Sequence, residues 1–174
     1  PDNRCYFCKS HLITRLVQVA DEHGLRYVVE GTNTSDLLGH RPGYRAKQKF
    51  DRVVTPLIEA GFNKEDVRMF ARELGLPNAL KPAAACLASR VPTGWQLTSL
   101  LMGKIDDAED LLRDIGVNQV RVRHHGDIAR IEVDEDDMDL CIKHKDSIVS
   151  KLKELGWKFI TLDLIGYRTG GTRG

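Results

Sequence analysis

The sequence has almost no net charge: 26 Lys and Arg stand against 25 Asp and Glu, a formal +1 over 174 residues. That balance excludes a nucleic-acid binder that works by bulk electrostatic attraction. No apolar run approaches the ~18 residues of a membrane span, and no secretory signal pattern is visible. There is no low-complexity segment and no internal repeat. Cysteine is sparse, with four in the chain. The only close pair is Cys5 and Cys8, so no second pair completes a four-thiolate zinc site. Unclustered thiols of this kind read as reduced, in a cytoplasmic protein. What is present is enough apolar material for a real core, at 41% hydrophobic and 29% charged residues. The length suits one large or two small domains.

Periodicity predicts a helix from Cys8 to His23, with Leu12, Leu16, Val19 and Ala20 on one face and Gly24 as its stop. Arg26–Glu30 reads as a short buried parallel strand. A polar stretch from Gly31 to Lys49 is long for a plain connection, which makes it either mobile or functional. Val53–Val54 begins a second strand. Asn63 caps a helix with Glu65 and Asp66 in its first turn and Val67, Phe70, Ala71 and Leu74 facing in. That helix ends at Gly75-Leu-Pro77. Helix, strand, loop, strand, helix is the order of part of a parallel α/β sheet.

The second half differs. A helix is expected over Thr98–Ile115, then strands at Gln119–Arg123 and Ile128–Val133 joined through His124–Asp127. Asp134 or Glu135 opens one long helix to Leu155, with Met138, Cys141, Ile142, Ile148, Val149, Leu152 and Leu155 in its apolar stripe. Trp157–Leu164 is the last strand. This order describes a small α+β domain, with the hinge near Pro92–Gly94. The domains are therefore expected at residues 1–94 and 95–174.

Chemistry concentrates at Lys81-Pro-Ala-Ala-Ala-Cys86-Leu-Ala-Ser-Arg90. A thiol between fixed cations is held more easily as thiolate, and small neighbours leave room for a substrate. The alternative is a buried structural cysteine beside a loop. Cys5 and Cys8 have the spacing of zinc or iron–sulfur ligands and of a redox motif. With Cys86 they make three thiols, a number that suits a cluster with one open iron. Cys141 reads as core. Gly31-Thr32-Asn33-Thr-Ser-Asp36 follows a predicted strand, where ligands of parallel sheets bind, although ordinary turns have the same composition. Arg121, Arg123 and His125 share one strand face because side chains alternate, and Arg168 follows the last strand. Converging guanidiniums bind phosphate; the competing reading is a solvated basic face or pairing with Glu109 and Glu132. Trp95 and Trp157 read as packing residues, and His124 and His125 are weak candidates for metal ligands.

These segments carry a resemblance. Gly31-Thr-Asn33 through Asp36, then Val54-Thr-Pro56-Leu57, Lys64–Val67 and Leu74–Pro77 resemble the middle of the PP-loop ATP pyrophosphatase superfamily. Within it, one family is similar over nearly the whole chain. Its matches are Arg4–Lys9, Gly31–Asn33, Arg41–Gly43, Cys86–Arg90, Arg121–Gly126, Ala129–Val133 and Gly166–Arg168. These resemble the ATP-dependent sulfur transferases called LarE, which make the dithio ligand of a nickel-pincer cofactor. The resemblance implies that ATP, with Mg²⁺, adenylates a carboxylate of a pyridinium mononucleotide, and that sulfur then displaces AMP to give a thiocarboxylate. It implies Cys86, Ser89 and Arg90 at the reacting centre and Gly31, Thr32, Asn33 and Asp36 at the nucleotide. It implies Arg121, Arg123, Arg168 and Glu109 at the substrate. Sulfur comes from a sacrificed Cys86 or from a [4Fe–4S] cluster on Cys5, Cys8 and Cys86.

On this resemblance residues 1–94 are a partial PP-loop nucleotide-binding domain. Residues 95–174 are a substrate-binding or oligomerisation domain of a homo-oligomer. The Ser-Gly-Gly-x-Asp-Ser phosphate loop of the superfamily is absent and is expected upstream of Pro1; without it this stretch alone is expected to be inactive. The rival readings are another adenylating PP-loop enzyme, such as a tRNA thiolase or an amidating synthetase, and a non-catalytic cluster- or metal-binding or assembly domain.

Overall fold

Two pairs of valines begin the architecture. Val28–Val29 (β1) and Val53–Val54 (β2) are β-branched residues in short apolar runs, and they pair in parallel with Val28 opposite Val53. The chain is described by a computed structural model that covers residues 3–38, 42–81 and 85–168. It packs as two units, Pro1–Lys81 and Pro82–Gly174. The fold class is α/β, with a parallel two-stranded sheet in the first unit and a mixed three-stranded sheet in the second. Among the described residues no helix is long and apolar enough to cross a membrane.

In the first unit α1 spans Arg4–Glu22, four residues longer at its start than the periodicity indicates. Its buried positions are Ile13 and Ala20, with Val17 half-buried between them, while Leu12 and Leu16 are exposed. The stripe thus runs one residue further round the helix than the expected Leu12–Leu16 face. Two apolar stripes a residue apart are nearly equivalent in sequence, and tertiary packing chooses between them. A short helix, α2 (Pro42–Lys47), forms inside the polar stretch and lies on α1. Gly43 faces α1 at the contact, where a Cβ would meet Lys9 Cβ and the Cys5 carbonyl oxygen at the ordinary contact distances of 3.8 and 3.9 Å. A single turn of helix, α3 (Pro56–Glu59), follows β2.

Asn63 caps α4 (Lys64–Glu73) as expected. Its Oδ1 accepts from the Glu65 and Asp66 amides at 2.7 and 3.1 Å, and the Asp66 carboxylate accepts from the Asn63 amide at 2.9 Å. Such a reciprocal box satisfies donors that the first turn leaves orphaned. Val67 and Ala71 are half-buried, and Phe70 stacks on Phe62 at 5.2 Å. Leu74, expected inside, is exposed.

The second unit has the larger core. Thr98 caps α5 (Ser99–Asp114) by accepting from the Leu101 amide at 3.1 Å. Strands β3 (Val120–His125) and β4 (Ile128–Val133) form an antiparallel hairpin whose turn uses Gly126 at φ 66°. The expected long helix is broken. A 3₁₀ turn at Glu135–Asp137 leads into α6 (Met138–Lys143), and His144 leaves helical geometry before α7 (Lys145–Glu154). Cys141 from α6 and Ile148 and Leu152 from α7 all reach the core. β5 (Phe159–Leu162) then pairs in parallel with β4, giving the order β3-β4-β5. Val120, Val122, Ala129, Ile131 and Val133 face the helices together with Trp157. Their alternates, Arg121, Arg123, Arg130 and Glu132, lie on the opposite face of the sheet.

The division between units falls after Lys81, ahead of the expected hinge at Pro92–Gly94. Val91 is fully buried in the second unit's core and Arg90 pairs with Glu109 of α5, so the Cys86 segment travels with the second unit.

Candidate functional site

Each unit offers one candidate. In the first, the polar turn sits at the carboxyl end of β1. Thr34–Leu37 is a 3₁₀ turn, anchored by Thr34, whose amide and hydroxyl both donate to the Phe62 carbonyl at 2.9 and 3.0 Å. The Asp36 carboxylate accepts from the Asn33 amide at 3.3 Å. Asp36 therefore shapes the turn from within. Glu30, at the end of the strand, gathers Lys9 from α1 and the Thr32 hydroxyl (2.8 Å) on one carboxylate oxygen. Its other oxygen is buried with no hydrogen-bond partner among the described residues, while the Asn33 side chain faces the Asp36 amide of its own turn. A buried acceptor without a donor is costly, and one at the mouth of a parallel strand fits a ligand that brings a donor or a cation. Lys9 and Glu30 were not singled out from sequence. The signal was there, as a charged residue closing an apolar strand run immediately before Gly31-Thr-Asn33.

In the second unit Cys86 precedes a 3₁₀ turn, Leu87–Arg90, and its thiol is exposed. This excludes the buried structural cysteine. Arg90 is 2% exposed and shapes the turn from beneath. Its Nε and Nη2 donate to the two oxygens of Glu109 at 2.7 and 2.8 Å. Its Nη1 donates to the carbonyls of Ala85 and Cys86 and to Ser89 Oγ, at 2.9, 3.2 and 3.1 Å. Glu109, expected at the substrate, is fully buried on α5. It also accepts from Arg113 Nη2 (2.9 Å) and from the Val122 amide (3.0 Å). Both groups face the interior and hold the fold.

The expected arginine face is present, and it is mostly closed. Arg123 donates from Nε and Nη2 to Glu132 at 3.0 and 2.8 Å and from Nη1 to the Ser89 carbonyl at 2.8 Å. Arg130 shares Glu132 at 2.8 Å. Arg121 is 5% exposed, donates to the Val120 carbonyl at 2.6 Å and lies over the Tyr167 ring at 5.2 Å. Burial, and then the charge of Arg90, lower its pKa. Arg168, next to Tyr167, is exposed.

Cys5 and Cys8 lie one turn apart on α1, both exposed and free. They belong to the first unit and Cys86 to the second. Three free, exposed thiols have the chemistry of cluster ligands, yet among the described residues no group of three or more His, Cys, Asp or Glu is placed to hold a metal ion. Cys141 is core, as expected, and burial followed by the charge of Asp137 raises its pKa.

His124 is a packing residue. Its Nδ1 accepts from the Trp157 indole N–H at 3.0 Å, and Trp95 meets it edge-on at 5.4 Å. Trp157 is buried as expected, with Lys104 Nζ 3.8 Å above its ring, whereas Trp95 is half exposed. Arg41, and residues 82–84 of the segment from Lys81 to Arg90, lie outside the described residues.

Together these features define an α/β protein with a polar turn at the mouth of parallel strands and an exposed thiol on an arginine-bound turn. No protein-family model matches the chain. Over 173 residues it is 40% identical to an uncharacterized protein of Synechocystis sp., covering 98% of this chain and 64% of that one. Over 165 residues it is 38% identical to the pyridinium-3,5-bisthiocarboxylic acid mononucleotide synthase of Lactiplantibacillus plantarum, covering 95% and 59%. An uncharacterized protein of Methanocaldococcus jannaschii is 32% identical over 166 residues, covering 95% and 64%. The chain thus spans 59% to 64% of the length of these relatives.

Proposed function

We propose that this chain is part of a LarE-type sulfur transferase that uses ATP to activate a carboxylate of a pyridinium mononucleotide and replaces AMP with sulfur. The observation that carries the reading is the 38% identity, across 95% of the chain, to a synthase whose product is a pyridinium bisthiocarboxylate mononucleotide. The exposed Cys86 and the partnerless Glu30 oxygen at the end of β1 support it.

The chemistry assigns each group a task. A substrate carboxylate oxygen attacks the α-phosphorus of ATP and pyrophosphate leaves, giving an acyl-adenylate. The unpaired Glu30 oxygen would be satisfied by ribose or adenine donors or by Mg²⁺, with Asn33 nearby in the chain; Gly31 would let the backbone come close and Thr32 would supply a hydroxyl. Cys86 sulfur then attacks the acyl carbon and AMP departs. Loss of the Cys86 Cα proton breaks the Cβ–S bond and releases the thiocarboxylate, leaving dehydroalanine. The other candidate source is a [4Fe–4S] cluster, for which Cys5, Cys8 and Cys86 would be the ligands and which would supply sulfide, leaving Cys86 intact after turnover. The mononucleotide phosphate binds at Arg168, which follows Tyr167, the ring that Arg121 covers.

The test is turnover by the full-length protein with ATP, Mg²⁺ and the pyridinium carboxylate mononucleotide, read by mass spectrometry. Thiocarboxylate should form, and Cys86→Ala should abolish it while pyrophosphate release continues. Intact peptide mass at Cys86 after turnover selects the cluster; loss of the elements of H₂S selects sacrifice. Unchanged thiocarboxylate formation by Cys86→Ala refutes the reading. Arg168→Ala should weaken substrate binding about tenfold or more, as loss of a charged hydrogen bond requires, without lowering the melting temperature.

A further inference from the structure

The turn that carries Cys86 is a single short 3₁₀ segment, Leu87–Arg90. At its two ends Ser89 N–H donates to the Cys86 carbonyl at 2.8 Å and Val91 N–H to the Ala88 carbonyl at 3.2 Å. The remaining grip comes from two arginines. Arg90 Nη1 reaches the carbonyls on either side of the Cys86 Cα, those of Ala85 and Cys86, and the Ser89 hydroxyl. Arg123 Nη1 takes the Ser89 carbonyl. The two side chains approach from different elements, one from the turn itself and one from β3.

Each arginine is itself fixed in the same way. Nε and Nη2 form a two-pronged bond with a buried carboxylate, and only Nη1 is left to face the turn. Arg90 is held by Glu109 of α5 and Arg123 by Glu132 of β4. Both carboxylates are at most 3% exposed. A guanidinium is planar, so pinning two of its nitrogens sets the direction of the third. Each carboxylate also has a second cationic partner, Arg113 for Glu109 and Arg130 for Glu132. The arrangement repeats one device twice: a doubly paired carboxylate aims an arginine at the backbone beside one exposed thiol.

We propose that Glu109 and Glu132 are positioning residues for Cys86, acting through Arg90 and Arg123 rather than touching substrate. This rests on the reading of Cys86 as the residue at which sulfur is transferred. An attacking atom misplaced by about 1 Å costs roughly a hundredfold in rate, and a single four-residue 3₁₀ turn, an element of poor hydrogen-bond geometry, does not hold that tolerance unaided. The proposal also gives Arg90 a role in the ground-state architecture in place of contact with the departing AMP.

The experiment uses the full-length protein with Arg90→Lys and Arg123→Lys. Lysine keeps a charge opposite each carboxylate but has no fork, so it cannot hold the carboxylate and reach the turn together. Ser89→Ala is the milder probe, removing one acceptor and burying no charge. Hydrogen exchange of the peptide containing residues 85–91 should quicken about tenfold or more in both lysine variants. Exchange in β3 and β4 should stay unchanged. Alkylation of Cys86 by iodoacetamide should change with it. In turnover assays kcat should fall about tenfold or more, while KM for ATP stays within about twofold.

Equal loss of protection in the turn and in the β3–β4 hairpin means a general structural role and overturns the proposal. So does unchanged exchange in both lysine variants and in Ser89→Ala. If a lysine variant does not fold, Ser89→Ala decides: quickened exchange confined to the turn supports the proposal and unchanged exchange overturns it. Exchange and alkylation do not depend on sulfur transfer. Retained transfer by Cys86→Ala would therefore sink the functional reading alone, and unchanged exchange would sink the positioning alone.

Discussion

Replacing Glu109 by Leu should be among the most damaging single changes in the second unit. The carboxylate has no solvent exposure and receives four donors, Nε and Nη2 of Arg90, Nη2 of Arg113 and the Val122 amide. Arg113 is half exposed and still has Asp110, so water and that partner rescue it. Arg90 has neither, being 2% exposed. Leaving a buried charge without its partner costs about 3–5 kcal/mol. Orphaning the Val122 N–H is a cost of about 1–3 kcal/mol that overlaps with it. For a folding unit of this size each kcal/mol moves the midpoint by ~4–8 °C, so a fall of at least about 12 °C is expected.

The companion variant has the opposite logic. Removing both charges, as Arg90→Met with Glu109→Leu, leaves only the Val122 amide and the lost turn contacts. It should recover at least about 2 kcal/mol of the single-variant loss, because the desolvation penalty of the pair disappears too. Denaturant unfolding followed by the fluorescence of buried Trp157 measures both. A loss under about 1 kcal/mol in Glu109→Leu, or a double variant less stable than Glu109→Leu alone, refutes the reasoning.

Acid should loosen the second unit at the Trp157–His124 contact. Burial, then Lys104 and His125, lower the pKa of His124, and burial, Arg130 and Arg123 lower that of His125. Both are therefore neutral in the fold, and their contribution is complete above the unfolded value of ~6.5 and lost as pH falls through the lower folded values. Melting temperature against pH should drop on the acid side, less steeply in His124→Gln; stability that rises on acidification contradicts this. Gly166→Ala should lose at least about 1 kcal/mol. Its φ is 75°, and an added Cβ would sit 3.0 Å from the Val133 carbonyl oxygen and 3.3 Å from Met138 Cε. Gly103→Ala in α5, where a Cβ meets nothing within 4 Å, should instead gain up to about 1 kcal/mol; thermal melts that rank the two the other way would contradict both assignments.

Local chemistry was readable in the sequence wherever a few neighbouring residues decide the outcome. Asn63 and Thr98 cap their helices because side-chain acceptors lie two or three residues ahead of the amides they serve. The β3–β4 hairpin follows from alternation and Gly126. Faces were harder. Ile13 and Leu12 are both apolar, and tertiary packing alone decides that the first is buried and the second exposed. The break at His144 has no proline or glycine to announce it. The site divided along the same line. The Cys86 segment and the polar turn after β1 stood out from composition and spacing, but whether the thiol is exposed or buried did not. The inward roles of Arg90 and Glu109 were not, because the residues are 19 apart and meet only when α5 docks. Arg123 looked like a ligand for the same reason: a strand residue's face is readable, but whether something covers that face is a tertiary fact.

The grip on the cysteine turn also has a direction in time. Apart from Arg90, every side chain that holds the turn or aims its holders comes later in the chain: Glu109, Arg123 and Glu132. A ribosome therefore produces Cys86 before it produces its restraints. The last of them follows 46 residues on (132 − 86), roughly 2–9 s at ~5–20 residues per second. Until Glu132 has been added, the turn lacks the carboxylate that aims Arg123 at it. Any oxidation or alkylation in the nascent chain would reach this sulfur before the fold has placed it.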